Sequence, residues 1–271
     1  MKDFLIKFYR NTLGTEEAGC LENEVMILSQ IDHPNIVKWR EVFEDQENIF
    51  IVLDLLSGGE LFSRVINKRV FTEKDAANII RPVIDAIRYC HDLDVAHRDL
   101  KLENILYETK DEDSMIKITD FSLAKIIPDD VFAVTACGTP GYVAPEILEG
   151  GGYGKEVDYW SIGVILYTLL CGLAPFNEDE NSKLFDKIKK AEYCFPSPHW
   201  DHISDLAKDL ISKLLVTDPD LRLNADDIME HPWMLESANQ DDSSSEDSDE
   251  DLGDSVNKMD IWGDSGMQKV N

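Results

Sequence analysis

Within Ala96-His97-Arg98-Asp99-Leu100-Lys101-Leu102-Glu103-Asn104, a carboxylate, an ammonium and a carboxamide fall inside six consecutive residues, Asp99 to Asn104. Apolar segments flank the stretch on both sides. These residue types suit transfer of a phosphoryl group from a nucleotide to a hydroxyl. Asp99 can orient the hydroxyl and accept its proton, and Lys101 can neutralise the group in transit. Asn104 can hold a magnesium ion. A polar turn between a helix and a strand would use the same residue types, so the reading needs partners elsewhere in the chain.

One pair of partners follows from periodicity. Residues 16–31 have helical spacing, with Leu21, Val25 and Leu28 on one stripe, and Glu24 falls on that stripe. A carboxylate on an apolar face is costly unless paired. Phe4-Leu5-Ile6-Lys7-Phe8-Tyr9 reads as a strand holding a single cation, so Lys7 is the natural partner.

Further elements must position these groups. His33-Pro34-Asn35 is a turn, followed by strand-like runs at 36–43 and 49–56; the second is nearly unbroken, as in a strand buried on both faces. Phe71-Thr72-Glu73-Lys74-Asp75 opens a helix, with Thr72 as N-cap, Asp75 as its reciprocal partner and Phe71 as the staple. That helix should reach about His91 with Ala76, Ile80, Val83, Ile87 and Cys90 inward. Residues 105–107 and 116–119 read as a hairpin ending at Asp120-Phe121-Ser122. Amphipathic helices are predicted over 182–191, 204–216 and 224–231, capped at Ser204 and Asn224. The apolar run from Trp160 to Phe176 is too short for a membrane span, holds Gly163 and Gly172 and ends at Pro175, so it reads as a buried core helix.

Composition narrows the class. The chain has 271 residues and a net charge of −28, which disfavours nucleic acid and anionic membrane as partners and favours basic peptides. Its five cysteines are scattered without a C-x-x-C pair, as in a reduced, cytoplasmic or nuclear protein. The run Asp241 to Asp251 is acid and serine only, and should stay solvated. No signal peptide is expected before Phe4.

Taken with Ser57-Gly58-Gly59-Glu60-Leu61-Phe62 and Ala136-Cys137-Gly138-Thr139-Pro140-Gly141-Tyr142-Val143-Ala144-Pro145-Glu146, these motifs resemble those of eukaryotic Ser/Thr protein kinases. Within that family the likeness is to the calcium/calmodulin-dependent group, over roughly residues 3 to 235. The resemblance implies an α+β, two-lobed fold: 1–56 as a truncated small lobe, 57–236 as a mainly helical large lobe, and 237–271 as an acidic tail. It implies ATP and Mg2+ as cofactors. Lys7 and Glu24 would position the phosphates, and Leu53 would back the nucleotide pocket. Asp54 and Leu56 would pair with adenine through their backbones, and Asn104 and Asp120 would hold magnesium. Glu60 would meet the ribose or a substrate arginine, or merely cap a helix, and with Glu103 it suggests basic residues upstream of the acceptor. Thr135 is the expected site of activation by an upstream kinase, through phosphate pairing with Arg98. Thr139 would contact Asp99 and Lys101, Glu146 would pair with Arg222, and Asp158 would hold the catalytic-loop backbone.

Three departures stand out. Only six residues precede Lys7, leaving no room for the family's glycine-rich phosphate-covering loop. Leu5 stands where relatives usually have alanine, and Ser122 where they have glycine, which permits backbone angles that serine resists. These leave open either an incomplete version of a longer kinase or, as the alternative function, a pseudokinase or scaffold that binds ATP weakly or not at all. After the domain the acidic run replaces the basic helix of calmodulin-regulated relatives, so calmodulin control does not carry over.

Overall fold

The apolar run predicted over 49–56 forms β3 (Asn48–Asp54), the centre of the small-lobe sheet. It lies between β1 (Phe4–Arg10) and β2 (Trp39–Glu44), antiparallel to both. The computed structural model describes residues 4–10, 16–46, 48–63, 71–129 and 131–239. The acidic run from Asp241 to Asp251 and the side chain of Leu21 lie outside the described residues.

Two strand expectations need correction. Only Ile51 and Leu53 of β3 are buried, while Ile49, Phe50 and Val52 are partly covered. The core lies on one side of the sheet, and Phe4, Ile6 and Phe43 are exposed on the other. Pairing also starts at Trp39 rather than Ile36. The preceding segment is drawn to the large lobe instead: Val37 N donates to Ile118 O at 2.9 Å and Ile118 N to Asn35 O at 2.7 Å. The nearly buried Lys117 reinforces this strap by donating to Pro34 O at 2.7 Å.

Helix α1 (Glu16–Gln30) packs against β2 and buries Glu24, Ile27 and Leu28. The large lobe starts with α2 (Glu73–Asp92), whose capping box is the expected one: Asp75 N donates to Thr72 Oγ1 and Thr72 N to Asp75 Oδ2. All five residues expected to face inward are buried. Short strands β4 (Val95–Ala96), β5 (Ile105–Tyr107), β6 (Ile116–Ile118) and β7 (Lys125–Ile126) follow; β5 and β6 form the expected hairpin, and β4 pairs with β7. Then come α3 (Pro145–Glu149), α4 (Val157–Cys171), α5 (Asn181–Lys189), α6 (Asp205–Leu214), α7 (Ala225–Glu230) and α8 (Pro232–Asn239). The small lobe thus has few strands and the large lobe is helical, an α+β arrangement.

Helix α4 is the core of the large lobe, buried at every position from Val157 to Leu170. No described helix is long and apolar enough to cross a membrane. Around α4 the other helices are fixed by partly or fully buried polar groups. Glu73, at the start of α2, accepts from Ser204 N and Oγ (both 2.7 Å) and from Trp233 Nε1 (2.6 Å). Ser204 Oγ in turn caps α6 by accepting from Ala207 N. Arg222, whose side chain is fully buried, meets Glu146 in a fork, Nη1 to Oε1 at 2.7 Å and Nη2 to Oε2 at 3.0 Å. It also donates to Val216 O and Glu156 O and lies over the Trp160 ring.

Two stability outcomes follow. Arg222→Met would leave the Glu146 carboxylate uncompensated, and urea unfolding should show a loss of about 3–5 kcal/mol. A Cβ on Gly163 would stand 2.9 Å from Leu214 Cβ, an atom that cannot swing away. In Gly163→Ala the overpacking cost of about 1–3 kcal/mol should outweigh the helix-propensity gain of about 1 kcal/mol, so the melting temperature should fall.

Candidate active site

The catalytic-loop geometry starts from Asp158, at the first turn of α4 and completely buried. Its carboxylate accepts from His97 N and Arg98 N, both at 2.9 Å, and lies 2.9 Å from His91 Nε2. Burial alone pushes this carboxyl up, but the hydrogen bond and charge of His91, with those of His97, leave it below the ordinary range. Arg98 is held with φ at 67°, in the left-handed region that non-glycine residues rarely occupy. The chain turns there and delivers Asp99 and Lys101 to the same point.

At that point Asp99 is 8% exposed and its two oxygens are both engaged. Thr139 Oγ1 donates to Oδ1 at 2.7 Å, and Lys101 Nζ to Oδ2 at 2.8 Å. Lys101 Nζ also donates to Thr139 Oγ1 at 2.7 Å, which closes a triangle of acid, cation and hydroxyl. Asn104 Nδ2 donates to Asp99 O at 2.8 Å and more weakly to Oδ2 at 3.3 Å. Its amide oxygen is then the remaining donor atom for a cation.

Asp120 is brought beside this loop by backbone. Thr119 N donates to Asn104 O at 2.8 Å, and His97 Nε2 lies 3.1 Å from Thr119 O. Phe121 is fully buried and packs edge-on to His97 at 4.8 Å between centroids, fixing the direction of the aspartate. The positive φ of this turn, 62°, falls on Asp120 and not on Ser122, which sits in the ordinary 3-10 turn Phe121–Leu123. Ser122, next in that turn, helps to lower the Asp120 carboxyl.

The small lobe reaches down to the same carboxylate. Lys7 Nζ donates to Glu24 Oε1 at 2.9 Å and to Asp120 Oδ1 at 3.0 Å. The pairing inferred from the apolar stripe is therefore present, and Glu24 is 1% exposed. Desolvation works to raise the Asp120 carboxyl, but the charge and hydrogen bond of Lys7, with Ser122, hold it below the usual carboxylate range. Asn104, just before β5, and Asp120, just after β6, together offer hard oxygen donors. That set fits magnesium, which takes one or two protein oxygens and completes its shell with water and phosphate.

On the nucleotide side, Leu53 is buried and stands opposite Leu5 in the β1–β3 register. Asp54 N already donates to Lys38 O, and its carboxylate is forked by Arg40. An adenine would therefore have to use the Asp54 carbonyl and the Leu56 amide. Glu60 is exposed and bridges to Leu106, next to the catalytic loop. Burial pushes the Glu103 carboxyl up, aided by the Asp99 and Glu60 charges and opposed by Lys101; its Oε2 has no hydrogen-bond partner.

Arg98 does not touch the Thr135 side chain, which is exposed. Its Nε donates to Leu123 O at 2.6 Å and its Nη1 to Tyr153 Oη at 2.7 Å; Tyr153 Oη donates onward to Thr135 O at 2.6 Å. Tyr153 and His91 are positioning residues that sequence reasoning missed. Both act across 55 or more residues, and no local spacing signals such a contact.

A protein kinase domain model matches residues 2–234. The chain is 51% identical over 221 residues to calcium/calmodulin-dependent protein kinase type 1 of Caenorhabditis briggsae, covering 82% of this chain and 61% of that protein. It is 50% identical to the enzyme of the same name from Macrobrachium nipponense, with 82% and 63% covered. Myosin light chain kinase A of Dictyostelium discoideum is 46% identical over 225 residues, with 83% and 76% covered. The chain spans about three fifths of the length of the first two relatives. By fold, motif order and these likenesses, the chain belongs to the protein kinase family, within the calcium/calmodulin-dependent Ser/Thr group.

Proposed function

We propose that the chain carries the phosphotransfer site of an ATP-dependent Ser/Thr protein kinase acting on peptides with arginine or lysine upstream of the acceptor. The observation that carries this reading is the triangle of Asp99, Lys101 and Thr139, with Asn104 hydrogen-bonded to Asp99. In it, Asp99 receives the proton of the incoming hydroxyl at the oxygen now held by Thr139. Lys101 stays within reach of both that carboxylate and the transferred group, and offsets charge as it develops. Magnesium, when bound at Asn104 and Asp120, supplies charge neutralisation on the phosphates of ATP. Lys7, held by the buried Glu24, fixes the position of the nucleotide side against Asp120.

Preference for a basic substrate rests on Glu103 and Glu60. Glu60 is exposed beside the loop and Glu103 lies within it, so an arriving arginine or lysine meets acid on that side. Thr135, exposed and tied through Tyr153 to Arg98, suits activation by another kinase. The free thiols of Cys90, Cys137, Cys171 and Cys194 fit a reducing compartment, cytoplasm or nucleus.

A scaffold that binds nucleotide poorly is the second reading, favoured by Leu5. Strand alternation puts Leu5 on the same face as Lys7, opposite Leu53, where its bulk narrows the space for a purine ring.

Radiolabelled phosphate should pass to a basic serine peptide, and Asp99→Asn should reduce the rate by about 10²–10⁴-fold; equal signal from the two proteins removes the enzyme reading. Thermal shift separates the second reading. Magnesium-ATP should raise the melting temperature of the parent chain, and Lys7→Met should weaken that binding by roughly 10-fold or more, as expected for a lost charged hydrogen bond. If only Leu5→Ala responds to nucleotide, the scaffold reading stands.

A further inference from the structure

The segment that carries Thr135 and delivers Thr139 to Asp99 begins with side chains that bury little. Val131, Phe132 and Val134 are each more than half exposed, so apolar packing does not hold the segment down. The loop from Gly152 to Lys155, just before α4, does so at three points. Lys155 Nζ donates to Asp129 Oδ1 at 3.1 Å and is itself anchored on His91 O and Asp94 Oδ1. Tyr153 and Ala133 exchange both backbone hydrogen bonds at 2.9 Å, and both residues are buried. Tyr153 Oη donates to Thr135 O at 2.6 Å. The two stretches run so close that a Cβ on Gly152 would stand 3.0 Å from Phe132 Cβ.

The third point reaches the catalytic loop. Tyr153 Oη accepts from Arg98 Nη1 at 2.7 Å while giving its own proton to Thr135 O. One buried hydroxyl therefore links the residue before Asp99 to the segment that ends at Thr139. Cys137 Sγ lies 3.7 Å from the same oxygen. Burial pushes this phenol up to about 12 against the pull of the Arg98 charge. The hydroxyl keeps its proton, and with it the bond to Thr135 O, at any physiological pH.

Activation by phosphorylation works by adding a charge that pulls such a segment onto an arginine. In this chain two of the arginine's donors already have protein acceptors, Nε on Leu123 O and Nη1 on the Tyr153 hydroxyl. Neither acceptor is an acid, so the link needs no charge on the segment. We propose that Tyr153 is a positioning residue that orders the segment from Ala133 to Thr139 without phosphate, so that the site is competent before Thr135 is modified. A phosphate on Thr135 then strengthens an arrangement already made. The kinetic consequences rest on the phosphotransfer reading above; the ordering itself does not.

Hydrogen exchange followed by mass spectrometry on the full chain reads the ordering directly. Tyr153→Phe keeps the ring and the bridge to Ala133 and removes only the hydroxyl. Amides from 133 to 139 should then exchange about tenfold faster or more, the effect of losing a charged hydrogen bond. Those of α2 and α4 should exchange as in the parent. Thr135→Val removes the hydroxyl that would take a phosphate but keeps the carbonyl that Tyr153 holds, and should leave exchange unchanged. Asp129→Asn alters a side chain that is 90% exposed, so it should fold as the parent does and loosen 133–139 far less than Tyr153→Phe.

Kinetics on a basic serine peptide supply the second readout. Tyr153→Phe should raise the peptide KM and lower kcat, about tenfold or more together, with the KM for magnesium-ATP unchanged. A protein merely folded in smaller fraction would lose kcat alone. Thr135→Val should retain the parent kcat/KM. Unchanged exchange at 133–139 in Tyr153→Phe overturns the proposal, and so does faster exchange across α2 and α4 as well, which would reduce the hydroxyl to general stability. A loss in Thr135→Val equal to that in Tyr153→Phe overturns it by assigning the order to the threonine side chain or its phosphate. An equal loosening in Asp129→Asn overturns it by moving the role to Lys155. If none of the proteins transfers phosphate and Tyr153→Phe still quickens exchange at 133–139 alone, the ordering stands and the kinase reading falls.

Discussion

One carboxylate, that of Asp158, makes the rest of the site possible. Two adjacent backbone amides point at it, and a chain that presents consecutive N–H groups to one acceptor must turn sharply. Arg98 absorbs the turn with a left-handed backbone that costs on the order of 1–3 kcal/mol where nothing holds it. The cost is tolerated because the alternative is worse: without those amides and His91, a charge would be buried with nothing opposite it. Strain and burial therefore hold each other in place, and Asp99 and Lys101 inherit their direction from that balance.

The two lobes share one apolar core, and polar contacts orient them across it. Lys7 stands between Glu24 above and Asp120 below. The Asn35 backbone and the Lys117 ammonium sew the turn after α1 to the β5–β6 hairpin. The Asn23 amide donates to Ala124 O at 2.6 Å on the far side of the same junction. Hydrogen bonds are directional, so this set specifies one relative placement of α1 and the catalytic loop, where apolar packing alone would permit sliding. The cation that organises the upper lobe is thereby tied to a carboxylate of the lower one.

What could be read in the chain, and what could not, follows from how far each signal reaches. The capping box at Thr72 and Asp75, the cap at Asn224 and the buried helix starting near Trp160 are local, and their residues announce them. Glu24 was legible for a different reason: a carboxylate on an apolar stripe violates the pattern around it, and only a cation resolves the violation. The triangle of Asp99, Lys101 and Thr139 was legible through motif order, which carried Thr139 to Asp99 across 40 residues. His91 and Tyr153 were not, because a histidine in the last turn of a helix and a tyrosine in a glycine-rich loop look ordinary where they stand. The coverage of β3 was overestimated because an apolar run reports what a strand can bury, and says nothing of how many layers are there to bury it.

Glu73 shows what such economy entails. A single side chain at the head of α2 holds the head of α6 and the indole of α8, so three helices distant in sequence share one anchor. The far end of the described fold is therefore no decorative appendage: trimming α8 back past Trp233 would unmoor a negative charge beneath the large lobe and loosen the start of α6 as well. Any shortened form of this protein has to keep that indole to keep its foundations.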